Sequence, residues 1–187
     1  MKISRATISD IDSIMPIFEA AKRFMRSYGN MEQWNGPYPS RELMLNEIAS
    51  GHCFVMENNG KIVATFCFIP GEDPTYSYIE GGSWLNDAPY FVIHRLASDQ
   101  TTRGIARECF DWCFRHTDNL RVDTHRDNIV MQRAIEKEGF EYCGVIHCAG
   151  HKRQAAGGSG DATQQRDPTT ERLAYLLSKK APSPIGR

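Results

Sequence analysis

The sequence predicts one α/β domain on a mixed, mostly antiparallel central sheet of about seven strands, with helices on both faces. Three observations carry this. The 187 residues suit one domain with a substantial core. Apolar periodicity switches between strand and helix spacing in the order β-α-α-β-β-β-α-β-α-β-β. Strand–helix–strand units between Pro89 and Val145 need a parallel crossover, whereas an Asn-Asn-Gly hairpin and a terminal strand pair make the rest antiparallel.

Taken in order, Ile3 to Ala6 reads as a strand. Ser9 caps the first helix, with Asp12 in the capping-box position. Ile11, Ile14, Met15, Phe18, Ala21 and Met25 give that helix one apolar face, and Pro16 predicts a kink. Ser27 to Pro39 is loop-like. Ser40 opens a second helix carrying Leu43, Leu45 and Ile48, which Gly51 closes. Strands Cys53–Glu57 and Lys61–Ile69 flank the Asn58-Asn59-Gly60 turn. Gly71 to Asp87 is a long connection, with a short strand expected at Tyr76–Ile79. Pro89 to Ala97 is the next strand, and a third helix runs from Gly104 to His116 with Ile105, Cys109, Trp112 and Cys113 on one face.

Leu120 to Thr124 is a strand, and Asp127 caps a helix over Asn128–Glu138 that Gly139 closes. Strands Phe140–His147 and Glu171–Leu177 end the domain, which spans 1–178. Between them, 149–170 reads as a flexible hairpin insertion, and 179–187 as a polar tail.

Lys and Arg number 22 against 23 Asp and Glu, a net charge of −1, which argues against a nucleic-acid partner. No apolar run approaches the ~18 residues of a membrane span, and the first residues lack the apolar stretch of an export signal. The six cysteines form no Cys-x-x-Cys pair and sit mostly in apolar segments. The expectation is a cytoplasmic protein with reduced thiols.

Chemistry concentrates where the strand ending at Ala97 passes through Ser98-Asp99-Gln100-Thr101-Thr102-Arg103-Gly104 into the helix starting Ile105-Ala106. Free N–H groups and the dipole at such a helix start favour an anion, and Gly104 and Ala106 keep side chains clear of it. Thr101 to Ala106 is similar to the (Gln/Arg)-x-x-Gly-x-(Gly/Ala) pyrophosphate loop of the GNAT superfamily of acetyl-CoA-dependent N-acetyltransferases. Asn128 resembles the Asn that opens the helix beside the pantetheine arm, and Glu136 to Phe140 resembles the end of that helix. The resemblance spans Ile3 to Tyr175. It departs at Thr101, at Thr102 and at Ile135, where many members carry a Tyr that protonates the departing thiolate. Tyr142 and Cys143, in the strand that follows, are candidates for a substitute acid that the motif itself does not predict.

The resemblance implies a GNAT-like domain, splayed at its parallel strand pair to admit acyl-CoA. Acetyl-CoA would be co-substrate, without a metal. Its contacts would be Leu96, Ala97, Ser98, Thr101, Thr102, Arg103, Gly104, Ile105, Ala106, Asn128 and Met131. The reaction implied is direct attack of a primary amine of a small molecule or peptide on the thioester. An alkylammonium has a pKa of ~10, so a base is needed. His94 is the first candidate, two residues before Leu96 on the same side of a regular strand. Glu80 is the second, and the Leu96 amide would stabilise the developing oxyanion. Trp34, Tyr38, Tyr76, Trp84 and Tyr90 are candidates for an acceptor pocket that favours a cationic amine. A homodimer is left open.

Two rival readings stand beside this one. Cys143, His147, Cys148 and His151 are zinc-ligand types at irregular spacing. Ile135 and Thr101 suit a non-catalytic acyl-CoA-binding or sensor module.

Overall fold

In a computed structural model, which describes residues 1–148 and 171–178, the expected element order holds. The insertion and tail expected over 149–170 and 179–187 lie outside the described residues. The strands are β1 (Lys2–Arg5), β2 (Cys53–Asn58), β3 (Lys61–Pro70), β4 (Phe91–Ser98), β5 (Asn119–His125), β6 (Glu141–His147) and β7 (Glu171–Ser178). The helices are α1 (Ile11–Ser27), α2 (Arg41–Ala49), α3 (Ile105–Phe114) and α4 (Ile129–Lys137).

The seven strands form one sheet in the order β1-β2-β3-β4-β5-β7-β6. Every neighbouring pair is antiparallel except β4 and β5, which α3 joins by a crossover. Asn59 and Gly60 close the β2–β3 hairpin with φ of 51° and 78°, the positive values that a tight hairpin turn demands. On one face Ile14, Phe18, Met44 and Ile48 of α1 and α2 pack on Val55, Cys67 and Ala97. On the other, Cys109, Phe110 and Ile135 of α3 and α4 pack on Phe66, Ile93, Leu120 and Val122. Each such fully buried side chain contributes roughly 1.5–3 kcal/mol.

Several local expectations change. The first helical cap is Thr7, whose N–H and hydroxyl both donate to Asp10, because a 3-10 turn over Ile8–Asp10 precedes α1. Ser9 and Asp12 therefore do not form the cap. Helix α1 runs from Ile11 to Ser27 with Pro16 inside it, where the proline withholds the N–H that would bond to the Asp12 carbonyl. In α2 the buried residues are Met44 and Ile48, not Leu43 and Leu45. The strand expected at Tyr76–Ile79 is a 3-10 turn over Pro74–Tyr76, followed by one bridge between Glu80 and Val145. Asn128, not Asp127, caps α4 by accepting from the Met131 N–H.

The most consequential change lies in β4. Residues Ala97 and His94 pair with Thr65 and Cys67, so β4 spends one residue more than β3 over the same stretch. Arg95, at φ 56°, is the extra residue of this bulge. His94 consequently shares the face of Cys67 with α1 and α2, while Leu96 packs toward α3. The expectation that the two share a side of a regular strand is therefore incorrect.

All six cysteines are free thiols, and only Cys148 is partly exposed. Among the described residues no helix is long and apolar enough to cross a membrane.

Candidate active site

The parallel pairing of β4 and β5 ends at Ile93 and Val122. Beyond that point the bulge bends β4 away, and a cleft of about 1400 Å³ opens between the strands. Residues Leu96, Ala97 and Ser98 form one wall, and Asn128, Met131 and Ala134 another.

One end of the cleft is a bare helix start. Thr102, Arg103, Gly104, Ile105 and Ala106 all line it. Gly104 is the N-cap of α3 at φ 79°, a conformation that suits glycine, and offers no capping side chain. The first bond of the helix runs from the Glu108 N–H to the Gly104 carbonyl at 3.0 Å. The amides of Ile105, Ala106 and Arg107 thus have no acceptor inside the helix. Thr101 is absent from the lining. Its N–H and hydroxyl both donate to Asp99 Oδ1, at 2.9 and 2.6 Å, which turns it away from the cleft. Asn58 donates to the Thr102 hydroxyl at 3.4 Å.

The other end is a charged cluster. His94 Nε2 lies 2.9 Å from Asp73 Oδ2, and Nδ1 lies 3.8 Å from Asp123 Oδ1. With Nε2–H donating to Asp73, a neutral ring keeps its lone pair on Nδ1. The hydrogen bond from His94 holds the Asp73 carboxyl well below its ordinary range; burial opposes this, and donation from the Thr75 hydroxyl and N–H adds to it. Asp123 Oδ1 also accepts from the Tyr76 hydroxyl at 2.6 Å. Asp73, Asp123 and Glu32 all line the cleft. Cys148 lines it too. Burial first, and then the Asp123 charge, pushes its thiol up to about 12, so it stays protonated at neutral pH.

Other sequence candidates take different places. Trp34 and Tyr38 line the cleft, and Arg95 Nε donates to the Tyr38 hydroxyl at 2.9 Å. Tyr76, Trp84 and Tyr90 do not line it. Trp84 and Tyr90 lie against the Arg121 guanidinium, their ring centroids 4.0 and 3.7 Å from it, and Trp84 Nε1 donates to the Tyr76 carbonyl. These rings pack beside the charged cluster, with the Tyr76 ring 6.1 Å from that of His94. Glu80 also lies away from the cleft. Its carboxylate meets His147 Nε2 at 2.7 Å, and its backbone bridges Val145.

Ile135 has no exposed surface and packs within the core under the sheet. Tyr142 is half exposed on the edge strand, and the Cys143 thiol points to the Glu141 carbonyl, so neither substitute acid reaches the cleft. Asn128 lines the cleft, but its side chain is engaged by Met131, Tyr28 and Gln33. No group of three or more metal-ligating side chains forms among the described residues, and His151 lies outside them.

Sequence reasoning missed Asp73 and Asp123. The signals were an Asp-Pro pair in a long connection and one carboxylate inside an apolar strand.

No family model matches the chain, and no curated protein matches its sequence. Solved structures do. A GNAT-family acetyltransferase from Streptococcus agalactiae is 27% identical, with 96% of each chain covered and a TM-score of 0.79. Another from Listeria monocytogenes shares the fold at 13% identity, covering 95% of this chain and 94% of that one, with a TM-score of 0.63. A polyamine N-acetyltransferase from Drosophila melanogaster, described as forming N-acetylagmatine, shares it at 14% identity, 95% and 99% coverage and a TM-score of 0.57.

Proposed function

As a member of the GNAT superfamily, this chain is, we propose, an N-acetyltransferase that moves the acetyl group of acetyl-CoA directly onto a primary amine of a small molecule or peptide. One observation carries the reading: the cleft at the β4–β5 splay has bare helix amides at one end and the His94–Asp73 pair at the other.

The residues present fit acetyl-CoA. The free amides of Ile105 and Ala106 suit a pyrophosphate, and the small Gly104 and Ala106 leave it room. Leu96, Ala97 and Ser98 run along the cleft wall, where a strand backbone suits the amides of the pantetheine arm. When bound, acetyl-CoA supplies the thioester carbonyl that the amine attacks. His94 Nδ1 takes the ammonium proton, directly or through water, because only the neutral amine is a nucleophile. Asp73 fixes the ring through Nε2 and stabilises the imidazolium that forms. The Leu96 amide, at the bulge, is the donor for the developing oxyanion.

The acceptor enters from the end lined by Asp73, Asp123, Glu32, Trp34 and Tyr38. Three carboxylates and two rings favour a cationic amine, and of the guanidiniums that also line the cleft Arg95 is already paired with Glu47. The polyamine specificity in the Drosophila protein's name fits that class.

The test is release of free thiol from acetyl-CoA with polyamines, amino acids, aminoglycosides and peptides. Thiol release with at least one amine is expected. The burial of Ile135 and the outward turn of Thr101 favour a second reading, a non-catalytic sensor of acyl-CoA. Tight acetyl-CoA binding with no thiol release across the panel would establish it instead.

A further inference from the structure

Helix α4 and the α1–α2 loop meet in a buried cluster of amides. Asn30 has no exposed surface, Asn128 is 6% exposed and Gln33 9%. Asn128 Oδ1 accepts from the Met131 N–H at 3.1 Å and from the Tyr28 hydroxyl at 2.8 Å. Asn128 Nδ2 donates to Gln33 Oε1 at 2.8 Å and lies 3.9 Å from Met25 Sδ. Gln33 Oε1 accepts a second bond, from Asn30 Nδ2, also at 2.8 Å. A carboxamide has two N–H donors and two acceptor lone pairs, and all four of Asn128's have partners inside the protein.

Tyr28, Asn30 and Gln33 belong to the segment that carries Trp34 and Tyr38 into the cleft. Trp34 sits at φ 59°, an unusual backbone for a bulky residue, which the neighbouring contacts must hold. Its ring packs edge-on against Phe18 at 5.6 Å.

We infer that Asn128 is a positioning residue for the acceptor: it ties residues 28–38 to the first turn of α4, and does not hold the pantetheine arm. The kinetic part of this inference rests on the acetyl-transfer reading; the structural part does not. Breaking the tie leaves the buried Gln33 amide short of a partner, and opening the loop to water restores one. Acceptor affinity then falls while the bare amides at α3 still bind the cofactor.

Asn128→Ser separates the roles. Serine keeps an oxygen that caps α4 but is too short to reach Gln33. Gln33→Ala attacks the same bond from the loop and leaves the α4 cap intact. In both variants hydrogen exchange at residues 30–36 should quicken by about tenfold or more, the equivalent of one buried hydrogen bond. Acetyl-CoA affinity by calorimetry should stay within about twofold, and the acceptor KM should rise about tenfold with kcat little changed. An Asn128→Ser variant with unchanged exchange and about tenfold weaker acetyl-CoA binding overturns the inference and makes Asn128 a cofactor ligand. If the wild-type protein binds no acetyl-CoA, the acetyl-transfer reading fails, and the exchange measurement alone decides the role of Asn128.

Discussion

Two long connections flank the cleft and are held by different chemistry. Residues 28–40, between α1 and α2, are held at their start by uncharged groups, since Asn30, Gln33, Asn128 and the Tyr28 hydroxyl share one cluster, and further on by the Lys22 ammonium on the Gly36 carbonyl and Arg95 on the Tyr38 hydroxyl. Residues 71–90, between β3 and β4, are tied by charges and rings. Asp73 meets His94, Glu80 meets His147, and Trp84 and Tyr90 clasp Arg121. The first connection gives the cleft its shape through Trp34 and Tyr38. The second gives it charge through Asp73. In the Asn128 cluster of the first, burial raises the Tyr28 phenol above its ordinary value, so that cluster stays uncharged between acid and neutral pH. The second has a carboxylate–imidazole pair at two of its anchors, Asp73–His94 and Glu80–His147. Shape and charge at this site therefore answer to different perturbations.

The sharpest break of this comparison is kinetic. His94→Ala should lower turnover by roughly 10²–10⁴-fold, the range for a positioned base, with little change in acetyl-CoA affinity. Asp73→Asn keeps the shape of the side chain without its charge and should lose about 10- to 100-fold in kcat. Initial rates over a range of amine concentrations check both. Variants of residues 28–38 should move KM instead, so a kcat loss in Gln33→Ala as large as that of His94→Ala would end the division of labour.

The next effects are on stability. Gly82 crosses β6 so closely that an added Cβ would run into the Cys143 carbonyl. Gly82→Ala should therefore cost about 2–4 kcal/mol, read as a fall in thermal midpoint. Arg121→Met removes the cation held between two rings, and the loss should be about 2 kcal/mol, the scale of a desolvated cation–π contact. A midpoint unchanged in Arg121→Met would mean that the 71–90 connection is anchored elsewhere.

The smallest effect is the pH response. The Asp73 carboxyl is depressed in the folded protein, first by its bond from His94. A depressed carboxyl stabilises the fold fully above its unfolded value of ~3.9, and that stability is lost as pH falls through the lower folded value. Denaturant titrations from pH 6 downward should show the wild-type advantage over Asp73→Asn shrinking below about pH 4. Gln33→Ala should run parallel to wild type over the same range.

Short-range signals were legible in the sequence. The element order, the hairpin at Asn59 and Gly60 and the bare start of α3 all rest on neighbours within a few residues, where backbone sterics and periodicity act, whereas the splay of β4 from β5 was implied by the family resemblance. His94 was legible as a titratable group in an apolar strand, and Thr102 to Ala106 as a small-residue helix start. Trp34 and Tyr38 were read as lining residues, and the cleft wall includes both.

Tertiary structure decided the rest. The bulge at Arg95 exists only in the register of β4 against β3, so nothing local told that His94 and Leu96 would part to opposite faces. Asp73 and Asp123 come from different elements and meet His94 only when the 71–90 connection folds over β5. Tyr76, Trp84 and Tyr90 had the composition of an acceptor pocket, but an aromatic face carries no label for what covers it, and here Trp84 and Tyr90 lie on Arg121 while the Tyr76 hydroxyl meets Asp123. Asn128 shows the same limit. The sequence marked it as the residue opening a helix beside the cofactor. Whether its amide is free for a ligand depends on Tyr28 and Gln33, which α1 and the following loop bring against it from far along the chain. A side chain's type follows from the sequence; its remaining hydrogen-bonding capacity is set by the partners that packing delivers.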